Sequence, residues 1–172
     1  MSVVGYKARN HPQQVALRGA DFEVDDRTTT REMFDPLDAR FEFTIDVAAS
    51  AINARCLRYY TIEDDGLKQS WAGESVWCNP PYSDIRPWVE KAWAEDGRAR
   101  SVVLLLPANR TEQGWWQDLV EPYRDHGTSL HVEFLRGRQR FIAAGRRHVG
   151  ANERPPFGLA LLIWAPMRPV LP

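Results

Sequence analysis

The sequence predicts an α/β fold with a mostly parallel central sheet, an antiparallel strand at one end and helices on both faces. Three observations favour this class. Strand-like patterns alternate with helical periodicity along most of the chain. The apolar run over residues 101–106 is typical of a parallel strand that is buried on both faces. The last two predicted strands have no helix between them, which indicates an antiparallel pair at one end of the sheet.

The composition is that of one globular domain. The chain has 172 residues, of which 44% are hydrophobic and 26% are charged, and this is enough for a single sizeable core. Residues 1–27 lack periodicity, so we expect an N-terminal arm followed by one domain over residues 28–172. Most of the seven tryptophans should pack in the core, which leaves one or two that could stack on bases.

Nothing in the sequence suggests a secreted or membrane protein. The longest apolar run is far too short to span a bilayer, and no signal peptide opens the chain. The two cysteines, Cys56 and Cys78, lack the spacing of a metal site, and no metal is expected. We interpret both as reduced thiols of a cytoplasmic protein.

In the first half of the chain, capping residues and a period of two predict the elements. Thr29 and Glu32 fit a capping box that begins a helix, and Pro36 should break that helix. Apolar and polar residues alternate over residues 41–47, which predicts a strand. The rest of this half is predicted, in order, as a small-residue turn over residues 48–50, a helix that ends at Cys56 and a short strand around residues 57–61.

In the second half, apolar periodicity predicts two helices among the strands. The clearer helix covers residues 84–94, where apolar side chains recur at i, i+3, i+4, i+7 and i+8. Ser83 or Asp84 would cap it. The other elements are predicted as strands over residues 75–78, 101–106, 130–135 and 158–164 and a helix over residues 111–120.

The most informative stretch is Asn79-Pro80-Pro81-Tyr82, which directly follows a predicted strand. Two prolines cannot continue a central strand, because neither donates a backbone hydrogen bond. The chain must turn there, and it presents an amide, bare carbonyls and an aromatic ring, which suit the handling of a planar amine. A proline-rich ligand for a partner domain or a merely rigid turn would use the same residues. The strand–turn–helix setting favours an active site.

A second turn should lie beside this one. It begins at Asp46 and also follows a predicted strand. Ligands of open α/β sheets bind beyond the carboxyl ends of the strands. We therefore expect Asp46 and Asn79 to line one cleft, the alternative being that Asp46 is a strand-end residue that faces solvent.

Arginines are concentrated late in a chain whose net charge is −1. Residues 136–154 contain six arginines and one acid, so this stretch has a net charge of +5. Such a patch can attract a polyanion even on an acidic body. A solvated charged loop is the alternative interpretation.

A series of motifs extends from about residue 28 to residue 164, which is nearly the whole chain. The motifs are Thr-Thr-Arg-Glu-Met-Phe, Phe-Thr-Ile-Asp-Val-Ala-Ala-Ser, Asp-Gly-Leu with Trp71, Val-Trp-Cys-Asn-Pro-Pro-Tyr-Ser, Leu-Leu-Leu-Pro-Ala and Gly-Arg-Gln-Arg-Phe. In order and spacing they resemble the phage-type DNA N6-adenine methyltransferases. The Asn-Pro-Pro-Tyr tetrapeptide alone would also match enzymes that methylate cytosine N4, RNA or protein glutamine.

The resemblance implies a Rossmann-like fold and an enzyme that uses S-adenosylmethionine to methylate adenine N6 in duplex DNA. Asn79 and the Pro80 carbonyl, in one motif with Pro81, would accept hydrogen bonds from the target amine, and Tyr82 would stack on the flipped base. The residues implied for the cofactor side are Thr29, Phe34, Asp46, Ala48, Ala49 and Asp65. Residues 136–157 become the candidate DNA-contact segment, with Arg136, Arg138, Arg140, Arg146 and Arg147.

Two alternatives remain beside this function. A methyltransferase of the same fold could act on cytosine N4, RNA or protein glutamine. A protein of a different class could keep the fold and bind nucleic acid without catalysis.

Overall fold

The computed structural model of the chain describes residues 28–124, 126–142 and 155–165, and within these ranges it has an α/β fold. The helices are α1 (Arg31–Phe41), α2 (Arg86–Glu95) and α3 (Gly114–Leu119). The strands are β1 (Thr28–Thr29), β2 (Ile45–Asp46), β3 (Ser75–Cys78), β4 (Ser101–Pro107), β5 (Leu130–Phe134), β6 (Phe141–Ile142) and β7 (Leu159–Trp164). The arm predicted over residues 1–27 lies outside the described residues. No helix in the described ranges is both long and apolar enough to cross a membrane.

The central sheet has five strands in the order β2-β3-β4-β7-β5. β2, β3 and β4 pair in parallel, and β7 pairs antiparallel with both β4 and β5. The predicted mixed sheet is confirmed, with an antiparallel pair at one end. The position of the antiparallel strand is corrected, because β7 lies between β4 and β5 and the edge strand is β5.

Both faces of the sheet are buried under helices. Val76 and Cys78 of β3 join the apolar cluster that includes α2 and α3, whereas Trp77 between them joins the cluster that includes α1. All seven residues of β4 are buried. Burying one large apolar side chain stabilises the fold by about 1.5–3 kcal/mol, so these two clusters supply most of the favourable free energy of folding.

A separate two-stranded ribbon was not predicted from the sequence. β1 and β6 pair antiparallel, with Thr28 opposite Ile142 and Thr29 opposite Phe141. Phe141 is buried in the same cluster as α1. The ribbon therefore connects residues 28–29, just before α1, to residues 141–142, which follow β5.

The strand predicted over residues 41–47 is wrong in its first half. α1 continues to Phe41 and ends where Glu42 adopts the left-handed conformation, with φ of 53°. Phe43 then packs on Phe41 and on Trp77, at ring-centroid distances of 5.6 and 5.4 Å. Phe41 at the end of the helix and Phe43 in the linker thus pack on the same apolar cluster. Their spacing of two residues is the same as that of apolar residues in a strand.

The beginning of α1 also differs from the prediction. The helix caps at Thr30, without a side-chain hydrogen bond, and Thr29 belongs to β1 instead. Pro36 lies inside the helix and does not break it. Met33 and Phe34 before the proline are buried in the apolar cluster, and Leu37 after it packs against the same cluster. Tertiary packing thus overrides the local effect of the missing hydrogen bond.

Residues 48–58 form turns and bends, so the helix predicted to end at Cys56 is wrong. Polar side chains explain this, because they bind backbone N–H groups that a helix would use. Asn53 Oδ1 accepts from the Ser50 N–H at 2.7 Å, and Asp46 Oδ2 accepts from the Arg55 N–H at 3.0 Å. The short strand expected around residues 57–61 is reduced to one parallel bridge between Asp46 and Tyr59.

The later elements are confirmed, apart from small shifts of their ends. α2 buries Val89 and Ala92, as its periodicity predicts, but its N-cap is Ile85 and neither Ser83 nor Asp84.

The tryptophans pack as expected. Five are buried and two are partly buried against the core: Trp71, Trp77, Trp115, Trp116 and Trp164, then Trp88 and Trp93.

The loop after Tyr60 is fixed against the end of β2 through Gly66. A Cβ atom at Gly66 would lie 2.1 Å from the Val47 carbonyl oxygen, so a larger residue cannot fit unless the backbone moves. The Trp71 indole donates a hydrogen bond to the Gly66 carbonyl at 3.0 Å. This close approach holds Asp65, the neighbour of Gly66, beside the carboxyl end of β2.

Replacing Gly66 with alanine is expected to lower the free energy of unfolding by roughly 1–3 kcal/mol, because the methyl group forces the loop away from Val47. Urea denaturation measures this change. Gly158→Ala is the matched control, since the nearest atom to a Cβ there is 3.9 Å away. Equal loss of stability in both variants would contradict the close approach at Gly66.

Candidate active site

A small pocket opens at the carboxyl ends of β2 and β3, and we call it the polar pocket. Most of the residues around it are polar. It is lined by Thr29, Asp46, Ala48, Asn53, Arg55, Trp77 and Asn79. Four of the site residues proposed from the sequence therefore meet in one place: Thr29, Asp46, Ala48 and Asn79.

The register of two parallel strands brings Asp46 and Asn79 together. Asp46 lies beside Trp77 in the ladder, and the Val47 N–H donates to the Trp77 carbonyl at 3.1 Å. Neighbouring strands are about 4.8 Å apart, so the residues that follow β2 and β3 emerge side by side. The two turns line one cleft, as expected from the strand ends.

Asp46 is a buried acid with only 3% of its surface exposed. Burial raises the pKa of its carboxyl group to about 6. The backbone N–H groups of Arg55 and Ala48, which donate at 3.0 and 3.4 Å, oppose this rise, as does the charge of Arg55. The alternative of a strand-end residue that faces solvent is therefore wrong. At neutral pH the pocket contains a carboxylate that is poorly solvated.

The sequence did not single out Asn53 and Arg55 as pocket residues. They lie in the turns that replace the predicted helix. The only available signal was two polar residues shortly after the small-residue turn. That signal is weak, because polar residues are common in any surface segment.

The turn after β3 is held in place on two sides. Arg110 donates a hydrogen bond from Nη1 to the Tyr82 carbonyl. The Tyr82 ring meets Phe157 edge to face, with centroids 6.2 Å apart. Pro80 is buried, and Tyr82 is half-buried between the two apolar clusters. The motif is thus a fixed part of the fold at the end of β3, and it is not an exposed proline-rich ligand.

Three other residues proposed for the cofactor side do not line the polar pocket. Phe34 is 2% exposed and packs edge to face on Trp77 at 5.4 Å, behind the pocket wall. The Ala49 N–H donates to the Tyr60 carbonyl at 3.0 Å. Asp65 pairs with Lys68 at 2.8 Å, and this hydrogen bond lowers the pKa of Asp65.

The basic segment begins at the same edge of the sheet, because β5 runs in the same direction as β3. Arg136, Arg138 and Arg140 are exposed, and none of them forms an ion pair within the described ranges. Gly137 turns the chain with φ of 72°. Arg146 and Arg147, like most of the rest of the predicted segment 136–157, lie outside the described residues.

The two cysteines are free thiols. Burial raises the pKa of Cys56 to about 12, with a contribution from Asp46, and burial raises the pKa of Cys78 as well. Neither thiol is therefore activated as a nucleophile. In the described part of the chain, no group of three or more His, Cys, Asp or Glu residues could hold a metal ion.

Comparisons with known proteins agree on one family. The sequence profile described as DNA N-6-adenine-methyltransferase (Dam) matches residues 20–170. A DNA N-6-adenine-methyltransferase of Escherichia phage T1 is 33% identical over 108 residues, which are 62% of this chain and 42% of that protein. One of Haemophilus phage HP1 is 30% identical over 79 residues, which are 45% and 44% of the two chains. The match spans less than half the length of either relative.

Proposed function

Because the chain belongs to the DNA N-6-adenine-methyltransferase family, we propose that it methylates the N6 amino group of adenine in DNA, with S-adenosylmethionine as the methyl donor. The observation that carries the proposal is the polar pocket, where Asp46 and Asn79 share one edge of the sheet. The proposal includes a Rossmann-like methyltransferase fold. In its favour are the parallel strands β2, β3 and β4 and the helices on both faces.

The residues of the polar pocket fit the cofactor. S-adenosylmethionine ends in an amino acid with an ammonium and a carboxylate group, and both need charged or polar partners in a buried site. Asp46 offers a buried carboxylate to the ammonium group. Arg55, which also lines the pocket, has a buried Nε atom with no hydrogen-bond partner in the described part of the chain. When bound, the cofactor supplies a strongly electrophilic methyl group.

The chain's own contribution to the reaction is to hold the amine. An adenine amino group is a poor nucleophile, because its lone pair is delocalised into the ring. The Asn79 side-chain oxygen and the Pro80 carbonyl accept hydrogen bonds from its two N–H groups, which favours a tetrahedral nitrogen whose lone pair points toward the methyl group. Orientation of this kind can supply much of the acceleration, and the attack needs no dedicated base. Tyr82 stacks on the base once it has left the duplex.

The arginines provide the side of the site that faces DNA. Arg136, Arg138 and Arg140 project from the segment after β5, at the edge that also carries Asn79. Arginine binds phosphate and guanine edges through paired N–H donors, so these residues can fix the duplex beside the pocket. We extend this role to Arg146 and Arg147 on the basis of sequence alone. We place the protein in the cytoplasm of a bacterial host, because that is the compartment that contains DNA.

A transfer assay tests the function. The protein is incubated with radiolabelled S-adenosylmethionine and, in parallel, with an adenine-containing duplex, a duplex of G·C pairs only, RNA and protein. We expect label in the adenine-containing duplex alone. Label in the G·C duplex would indicate cytosine N4, and label in RNA or protein would overturn DNA as the substrate. Absence of transfer to every acceptor, despite cofactor binding, would favour the non-catalytic alternative.

A further inference from the structure

Among the described residues, no hydrogen bond or ion pair holds the Arg55 side chain in its position. It is half-buried, it lines the polar pocket, and its Nε atom is buried. That atom has no hydrogen-bond partner in the described part of the chain, and the guanidinium group forms no ion pair there. Its backbone N–H, by contrast, is used, because it donates to the Asp46 carboxylate at 3.0 Å.

The surroundings of Arg55 leave its charge under-compensated. Burial lowers the pKa of the guanidinium, and the positive charge of Arg31 lowers it further. Asp46 and Asp35 attract it, but neither is within ion-pair distance. A buried donor on a charged group costs free energy when nothing binds it. An anion in the pocket would recover that cost.

We propose that Arg55 binds the carboxylate of the amino-acid end of S-adenosylmethionine, while Asp46 faces the ammonium group of the same end. This inference rests on the proposed function and assigns one part of the cofactor to one part of the pocket. These two contacts orient the ligand, because they anchor its amino-acid end at residues 46–55. The methyl group must point from there toward Asn79.

The chemistry of the ligand selects this end for Arg55. The carboxylate is the only anionic group of S-adenosylmethionine, whereas its adenine and ribose are neutral. Guanidinium offers paired donors that match the two oxygens of a carboxylate. The hydrophilic wall formed by Asn53, Asp46 and Arg55 suits a zwitterion better than it suits an adenine ring. Arg55 acts here as a binding and positioning residue, and it does not touch the amine that is methylated.

Binding of two ligands to three proteins tests the assignment. Isothermal titration calorimetry measures the affinity of S-adenosylhomocysteine and of its decarboxylated analogue for three proteins. These are the wild type, Arg55→Gln and a control, Arg58→Gln. Arg58 is an exposed arginine on the same segment whose partner is Glu74, at 2.8 Å, outside the pocket. Loss of a charge-assisted hydrogen bond corresponds to a change in affinity of about 10- to 100-fold.

The wild type and Arg58→Gln should prefer S-adenosylhomocysteine over the decarboxylated analogue by about 10- to 100-fold. Arg55→Gln should lose most of this preference, by binding the first ligand more weakly and the second almost unchanged. Arg55→Lys should recover part of the preference, because it restores the charge without the paired donors. Circular dichroism of each variant checks that it is folded.

The outcomes separate the inference from the function on which it rests. If the wild type binds neither ligand, the proposed function itself fails. If the wild type binds both and Arg55→Gln keeps the full preference for the carboxylate, only the assignment of Arg55 is wrong. Unchanged ligand binding together with weaker DNA binding by Arg55→Gln would also overturn the assignment, since it would make DNA phosphate the anion that Arg55 contacts.

Discussion

Replacing Asn79 with alanine is expected to slow methyl transfer to DNA by roughly 10²- to 10³-fold, which is typical for loss of one preorganised polar group at a reacting centre. The methyl side chain cannot accept a hydrogen bond from the target amine, so the nitrogen lone pair is no longer directed at the methyl group. Cofactor binding should change little, because Asp46 and Arg55 remain. Single-turnover kinetics with saturating cofactor and DNA measures the rate of the chemical step.

Asn109→Ala is the matched control for this experiment. Asn109 is an exposed asparagine in the turn after β4, at the same edge of the sheet as Asn79. It should keep the wild-type rate. A transfer rate in Asn79→Ala within a few fold of the wild type would contradict the role of the amide. An equal loss in both variants would point to a general effect on this edge of the fold.

Cofactor affinity is expected to fall by about tenfold per pH unit once the pH drops below about 6, because protonation of Asp46 removes the partner of the ammonium group. Binding of S-adenosylhomocysteine, measured by calorimetry between pH 5 and 8, follows this change. Asp46→Asn should bind weakly at every pH in this range, and its profile should be flat. The variant is nearly isosteric, so it separates charge from shape.

The stability of the protein without cofactor should depend on pH in the opposite direction. Burial raises the pKa of Asp46 from 3.8 when exposed to about 6 in the fold, so the folded state binds this proton more tightly than the unfolded chain. The resulting stabilisation is fully present below about 3.8 and is lost as the pH rises through about 6. Between these two pKa values, this contribution to the free energy of unfolding decreases by about 1.4 kcal/mol for each unit of rising pH.

Thermal unfolding of the wild type and of Asp46→Asn over the same pH range isolates this contribution, because the two proteins are otherwise identical. The difference in stability between the two should change in favour of the wild type as the pH falls.

For the calorimetry experiment, a wild-type affinity for S-adenosylhomocysteine that is constant from pH 8 to 5 would contradict a carboxylate partner for the ammonium group.

The part of the site that depends on strand ends could be predicted from sequence. The apolar run of β4 and the double proline after β3 specify where parallel strands lie and stop, and residues at neighbouring strand ends must meet. The meeting of Asp46 and Asn79 in one cleft was predicted in this way. Buried strands are easily recognised in a sequence, because both of their faces require apolar side chains.

The part that depends on irregular backbone could not be predicted. Between Asp46 and Tyr60 the chain follows hydrogen bonds made by side chains, such as Asn53 to the Ser50 N–H, and these have no period along the sequence. Thr29 lines the pocket and pairs with Phe141, and this is a contact between residues far apart in the chain.

The central claim is tested most directly by identifying the methylated nucleoside. Duplex DNA is incubated with the protein and S-adenosylmethionine, digested to nucleosides and analysed by mass spectrometry against synthetic standards. The account predicts N6-methyldeoxyadenosine in the wild-type reaction and its loss in the Asn79→Ala reaction. N4-methyldeoxycytidine as the product, or no methylated nucleoside at all, would contradict it.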